Sequence, residues 1–568
     1  MAVLPLKVFS HLSPLTSDFY HPPVDYAISL AGNFGEPRPN HFHGGLDIRT
    51  EGVEGKHIYA IGDGYVSRIT VGKDGFGNAV YITHPTGHTS VYCHLKAFSP
   101  RIKRALRRYQ YRHQTNEADA RLSPVEVPVS CGQFIALSGN TGSSTAPHLH
   151  LEIHDTRTWN MLDPYQFLND FISDSVPPQV HAVMAIPQHG GSFNNSQAPQ
   201  TLSPLPPAGA TEGALTAWGK VGFAVWADDY MQGSYNHYGI HETLLFVDGR
   251  QVFQAVVDDI PVSMNRMVNA WGCYDQWFRT RRWFMKSYIE PGNTLPCLTA
   301  DSNRGIVSFD EPRDYHLEYV LRDYKGNEVR HPFTVRAQPP ASSPSPSASA
   351  PAPTASTPAP SSFAATPSQP PLLRWNRTTI LSRPGVQLVV PYGLVAADVP
   401  LSPTISRQPD RWSDACQFAQ SSLPLMTDAR LSLYAHRTDG DPSKLYVAST
   451  DGRFMGGDYH DGWVTGRIRE LGACYELRYD DLPPTVQPVS LDGDRLLLNV
   501  TDGESGIASW QGTVDGRFVV FDAIEKITLF ACLLRESWLP RTGQPHRLHF
   551  EVTDNRHNTQ SFDTTFTY

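Results

Sequence analysis

Three short stretches carry side chains suited to holding a metal and moving protons. HFHGGLD places His43 four residues before Asp47, with His41 two residues ahead of His43. SVYCHLKAF brings His94, and SGNTGSSTAPHLHLEIHD brings His148, His150 and Glu152. A hydrolytic zinc site uses three imidazole or carboxylate ligands and keeps a fourth position for water, whose pKa falls to ~7. His43 and Asp47 with one histidine of the second pair would make that set. A lone His-x-His is a weak signal, but beside His-x-x-x-Asp and Tyr-x-His it becomes a strong one.

Such a set needs rigid elements to aim it. In PHLHLEI, strand alternation puts His148, His150 and Glu152 on one face and Leu149, Leu151 and Ile153 on the other. Gly139, Gly142, Ser143 and Ser144 are expected to form the tight loop leading into that strand. Elsewhere AVYITHP, TSVYCHL, ETLLFVDGRQVFQAVV, DRLLLNVTD and HRLHFEVTD read as short strands between Gly, Asp and Pro turns. The best helical signal is SPRIKRALRRYQYR, residues 99 to 112, with Ile102, Ala105, Leu106 and Tyr109 on one face and a basic opposite face expected to be solvated.

The ordered set HGGLD, YCHL, SGNTGSS and PHLHLEI resembles the lysostaphin-type, LytM-like zinc metallopeptidases that cut peptidoglycan peptides. The similarity runs from about Gly32 to Phe167, including GNFGEPRPNHFHGGLDI and LDPYQFL. The resemblance implies that His43, Asp47 and His150 hold Zn2+ and that His94 and His148 assist catalysis, with His148 favoured as the base. It also implies an active enzyme, since all five positions are filled. One departure is the insertion at 97 to 127, which carries the basic helix and is expected to flank the groove, as in long multidomain members from Bacteroidetes-type bacteria.

Other polar residues carry weaker cases. His41 has the wrong spacing to Asp47 for a ligand, and its functional option is lining the substrate groove. Asn40 is placed to contact substrate or support the loop. Glu152 is expected to be an exposed strand residue, with support of a ligand as the alternative, and His84, His88 and His154 are expected at the surface.

The chain has 568 residues, too many for one core. An all-β dominated multidomain fold is expected: a LytM-like antiparallel β domain with a helical insertion (20 to 173), an immunoglobulin-like β module with its own insertion (174 to 336), a Pro/Ala/Ser/Thr-rich linker (337 to 371), a β domain (372 to 479) and a second immunoglobulin-like module (480 to 568). An internal repeat supports the pair of modules: DSVPPQV matches DDLPPTV, VDGR recurs, and VLRDYKGN matches EVTDNRHN in the same order. The linker composition favours an extended tether, and residues 190 to 213 read as a surface loop.

The formal charge of −9 argues against a dedicated nucleic-acid binder. Seven cysteines form no C-x-x-C pair. Cys273 with Cys297, or Cys416 with Cys474, could bridge in an oxidising compartment, but free thiols are the plainer expectation. MAVLPLKVFSHLSPL lacks a charged start and a sustained apolar run, so no secretory signal is read there, and no transmembrane segment is read anywhere.

The expected function is a zinc endopeptidase acting on peptidoglycan cross-links or stem peptides, in the periplasm or cell envelope, its β modules engaging an envelope partner. The alternatives are a non-catalytic regulator of wall amidases and an adhesion or scaffold protein. Asp-rich turns such as TDGESGIAS are read as solvated, with calcium as the lesser option.

Overall fold

The computed structural model describes residues 20–203, 215–339, 370–437, 439–524 and 528–568. The N-terminal segment, most of the Pro-rich stretch and the latter part of the 190 to 213 loop lie outside the described residues, and so do the expectations made for them. Strands dominate and helices are few and mostly short.

The first domain is built on strands β1 (Leu30–Gly32), β2 (Leu46–Arg49), β3 (Gly64–Val71), β4 (Ala79–Thr83), β5 (His88–Cys93), β6 (Ala118–Arg121) and β7 (His148–Asp155). They pair antiparallel in the spatial order β1-β2-β7-β5-β4-β3-β6. Helix α1, Pro100–His113, lies between β5 and β6 in sequence. Leu149, Leu151 and Ile153 of β7 are buried with Leu46, Ile48, Val66, Ile69, Val80 and Ile82. This apolar face, repeated every second residue, fixes the register of β7 and therefore which side its histidines occupy.

Three further β units follow. In the segment Gln179–Ala337 one continuous hydrogen-bonded sheet runs through the fourteen-residue strand Leu215–Asp228, and Phe223, Tyr319 and Phe333 lie in its core. The segment Leu372–Tyr479 pairs a five-stranded with a four-stranded sheet over a common core that includes Leu388, Leu431, Val447 and Leu477. The last unit stacks two four-stranded sheets over Leu498, Trp510, Phe530 and Phe550.

The repeated sequence makes repeated local structure. Asp248 and Asp515, in the two VDGR turns, both have positive φ and both accept a backbone N–H through Oδ1, from His316 and from Arg547 at 2.9 Å each. No disulfide joins Cys273 to Cys297 or Cys416 to Cys474; all four are thiols.

The units are docked tightly. Phe42, between the two histidines of the first motif, is fully buried among core residues of the second unit, its ring 6.0 Å from that of Trp271. Part of the basic face of α1 differs from the solvated expectation. Arg107 forms a two-pronged pair with Asp522, at 2.6 and 3.1 Å, and also reaches Glu536, which Lys103 contacts too. Nearby, buried Asn116 donates to Trp510 O at 2.7 Å and accepts from Phe521 N at 2.8 Å. Lys103 and Arg107 therefore face carboxylates of another unit, a partner that sequence distance hid, while Arg101, Arg104, Arg108 and Arg112 are exposed as expected.

Candidate metal centre

Register brings the chemistry together. On β7, His150 lies directly opposite Asp47 of β2 on one side and Cys93 of β5 on the other. His94 follows β5 with φ of 59°, so the chain turns and its ring comes back toward β7, 4.9 Å from His148 and 5.9 Å from His150. His43 enters from the loop before β2. That loop passes so close to β7 that a Cβ on Gly45 would meet Leu151 O at 2.1 Å, which explains the glycine there.

The result is a near-equilateral triangle. His43 Nε2 lies 3.0 Å from Asp47 Oδ1 and 3.0 Å from His150 Nδ1, and His150 Nδ1 lies 2.8 Å from Asp47 Oδ1. Among the described residues these three form a group able to share one metal ion, and all three are buried. Ligand atoms about 2.0–2.1 Å from a tetrahedral zinc sit ~3.3–3.4 Å apart, so a small expansion fits that ion.

The far side of each ring fixes its orientation. His43 Nδ1 donates to Asn33 O at 2.5 Å, His94 Nδ1 to Thr141 O at 2.8 Å and His148 Nδ1 to Ala146 O at 2.8 Å. Each therefore turns its Nε2 inward. His148 Nε2 lies 3.3 Å from Asp47 Oδ1. His150 is turned the other way round: Nε2 pairs with Glu152 Oε1 at 2.9 Å and Nδ1 points inward. Glu152 Oε2 in turn accepts from His154 Nε2 at 2.7 Å. Asp47 Oδ2 accepts from Arg38 Nη2 at 2.7 Å, leaving Oδ1 as the oxygen directed at the imidazoles.

Electrostatics agree with a cation at the centre. Burial, aided by Arg38 and His150, outweighs the pull of Asp47 and lowers His43 to about 4; burial and the rings of His150 and His148 lower His94 to about 4. Both are neutral near pH 7. Burial also opposes charge on His150, but its hydrogen bonds to Asp47 and Glu152 prevail and lift it to about 9. Burial likewise works against charge on Asp47, yet His43 and the hydrogen bonds from His148 and His150 hold it well below the carboxylate range. The metal-free centre thus keeps a proton where three ligand atoms converge, and a metal would displace it.

Of the seven residues expected at the site, His43, Asp47, His94, His148 and His150 converge. Asn40 and His41 do not join them. Asn40 has φ of 72°, accepts from Arg266 Nη2 at 2.9 Å and Asn269 Nδ2 at 3.2 Å, and lines a cleft of about 700 Å3 with Arg266, Tyr274, Arg467 and Arg469. It ties the motif loop to the second unit. His41 is exposed and contacts Pro39 O.

Three expectations are corrected. Glu152 is buried rather than exposed, since its strand face covers the metal centre. His154 is buried against it and stacks on Trp159. His84 is buried between Asp63 O and Ser90 Oγ. Arg38 and Thr141 were not singled out from sequence; Arg38 lies in EPRPN five residues before His43, and its charge was the signal.

Residues 41–110 match Peptidase family M23, and residues 370–480 match a Zu5-like domain. The DD-carboxypeptidase/endopeptidase Mpg of Neisseria meningitidis serogroup B is 33% identical over 110 residues, 19% of this chain and 19% of that protein. A Haemophilus influenzae protein described as an uncharacterized metalloprotease is 30% identical over 120 residues, 21% of this chain and 19% of its own length. The chain thus spans about a fifth of the curated relatives it matches. Among solved structures, the catalytic domain of lysostaphin from Staphylococcus simulans is 25% identical, covering 24% of this chain and 89% of that one at a TM-score of 0.19. A zinc containing peptidase from Vibrio cholerae is 27% identical, with 26% and 38% coverage and the same TM-score of 0.19.

Proposed function

Because residues 41–110 are a Peptidase family M23 domain of the LytM/lysostaphin kind, we propose that the chain is a zinc endopeptidase of peptidoglycan peptides, working in the periplasm or cell envelope. The observation that carries this reading is the triangle of His43 Nε2, Asp47 Oδ1 and His150 Nδ1 with the inward-turned imidazoles of His94 and His148 beside it. The Neisseria relative, a DD-carboxypeptidase/endopeptidase, supports the substrate class.

Zinc held by His43, Asp47 and His150 would supply Lewis acidity and a water acidified to ~7. The chain's own residues do the rest. Arg38 occupies Asp47 Oδ2, so the carboxylate offers one oxygen inward. Glu152 holds His150 by its outer nitrogen and fixes the ring plane. His94 and His148, each held by an outward bond at Nδ1 with Nε2 turned inward, would accept the water's proton or, once protonated, donate to the developing oxyanion. We assign the base to His148, whose Nε2 lies next to Asp47. The later β units position this domain on the wall or bind an envelope partner.

Purified full-length chain incubated with muropeptides tests the reading. Wild type should release new amino termini, His150→Ala should lose both zinc and cleavage, and His148→Ala should keep zinc while cleavage falls by ~10²–10⁴-fold. Cleavage by neither wild type nor variants, with zinc bound, would sink it.

A further inference from the structure

Two other carboxylate clusters occupy matching places in the repeated modules. Asp174, Asp229 and Asp323 form one, and Asp480, Asp502 and Asp554 the other; in each, one oxygen per residue lies within 4.8 Å of the others. Two oxygens on opposite sides of a calcium ion are ~4.6–5.2 Å apart, so each triad fits one coordination shell.

The clusters share construction as well as composition. Asp323 accepts the N–H of Asn327 at 2.8 Å and its Nδ2 at 2.6 Å, while Asp554 accepts the N–H of Asn558 at 2.9 Å and its Nδ2 at 2.7 Å. Asp174 and Asp480 each accept the N–H two residues on, from Val176 and Leu482. Two residues past each clamped aspartate stands a base, Lys325 or Arg556, and both reach back to the preceding unit, to Asn169 O and Ser443 O respectively.

Hydrogen bonding in and beside the clusters is incomplete. Asp229 is 4% exposed, yet its Oδ1 has no hydrogen-bond partner among the described residues. It lines a cavity of about 10 Å3, the room of about one water or ion, with Asp163, Asp174, Asp323, Tyr165 and Lys325. In the second cluster Ser505, 3% exposed, donates its N–H to Asp480 Oδ2 at 3.1 Å while its hydroxyl has no partner. Each triad sets three carboxylates against a single base. Burial and the neighbouring carboxylates accordingly push Asp229 up to about 8.

We propose that each module binds one calcium ion through its aspartate triad, at the joint where the module meets the unit before it. Oxygen-only donors and the width of the triads suit calcium better than magnesium, which demands a tighter octahedron. The solvated turn expected around TDGESGIAS is therefore part of a ligand shell, because the fold brings Asp480 and Asp554 onto Asp502. Calcium would replace mutual repulsion with shared coordination and pin Lys325 and Arg556 in their bridges.

The test is calorimetric titration of calcium chloride into resin-decalcified full-length chain, with Asp174→Asn and Asp502→Asn as variants. Both aspartates are half-buried, so the amide should fold. Wild type should take up two equivalents, each single variant one fewer, and the double variant two fewer; the melting transition should rise with calcium only where a triad is intact. Because the readout is a difference between chains, any contribution from the histidine-rich centre cancels. Uptake of fewer than two equivalents, or uptake that neither substitution lowers, overturns the assignment. Equal uptake of magnesium overturns the choice of ion.

Discussion

His150 touches Asp47 through one ring nitrogen at 2.8 Å and Glu152 through the other at 2.9 Å, so a single imidazole joins the metal-directed carboxylate to a buried one behind it. Each of the two carboxylates restricts the ring, and the second is fixed by His154 in turn.

Glu152 is therefore a positioning residue whose loss should be felt at the metal. Glu152→Gln keeps a polar partner but removes the charge, and should weaken zinc binding by ~10–100-fold. Competition against a chelator of known affinity measures this. Unchanged affinity would show that the ring is held by packing on Phe76 alone.

A pH dependence follows from the proton at the centre. In the metal-free chain His150 is raised to about 9 from an unfolded value near ~6.5. Its stabilising contribution is present in full below pH ~6.5 and is lost as pH climbs through about 9. Zinc must expel the same proton, so its affinity should rise with pH over that interval. Thermal melts of the metal-free chain and zinc titrations from pH 6 to 9.5 should show opposite trends, and His150→Ala should flatten the first.

Phe42 is predicted to matter to the centre although it is no ligand. Phe42→Ala empties a fully buried site in the second unit, a change that costs about 3–5 kcal/mol in a well-packed core. The loop carrying His43 loses that anchor, so zinc affinity should fall with stability, whereas truncating exposed His41 to Ala should leave both unchanged. Zinc binding measured alongside denaturant unfolding separates the two.

The dock between α1 and the last unit is testable at Asn116. Asn116→Ala leaves Trp510 C=O and Phe521 N–H without their partner, at a cost of about 1–3 kcal/mol. Hydrogen exchange should accelerate in both α1 and the strands around Phe521. Acceleration confined to one side would mean that the contact does not couple them.

The grouping at the candidate metal centre was largely legible in the sequence because its motifs are local. His43 and Asp47 lie four residues apart, in the loop before β2 and on β2 itself, and the alternation of PHLHLEI puts His148 and His150 on one side of the strand. Glu152 was misjudged for the converse reason: the same alternation places it beside the ligand, but its burial depends on the neighbouring strands that cover that face.

Sequence by itself determined the strand-rich character, the pairing of two His-containing stretches and the repeat of two modules, since these rest on periodicity and short spacing. Only the tertiary structure decided which residues of the repeats come together and what part of α1 faces. Asp480, Asp502 and Asp554 are far apart along the chain, and Arg107 meets Asp522 and Glu536 more than four hundred residues away. Charges that look solvated one at a time change meaning when folding removes water from around them and brings a counter-charge, or more of the same charge, to within a few ångströms.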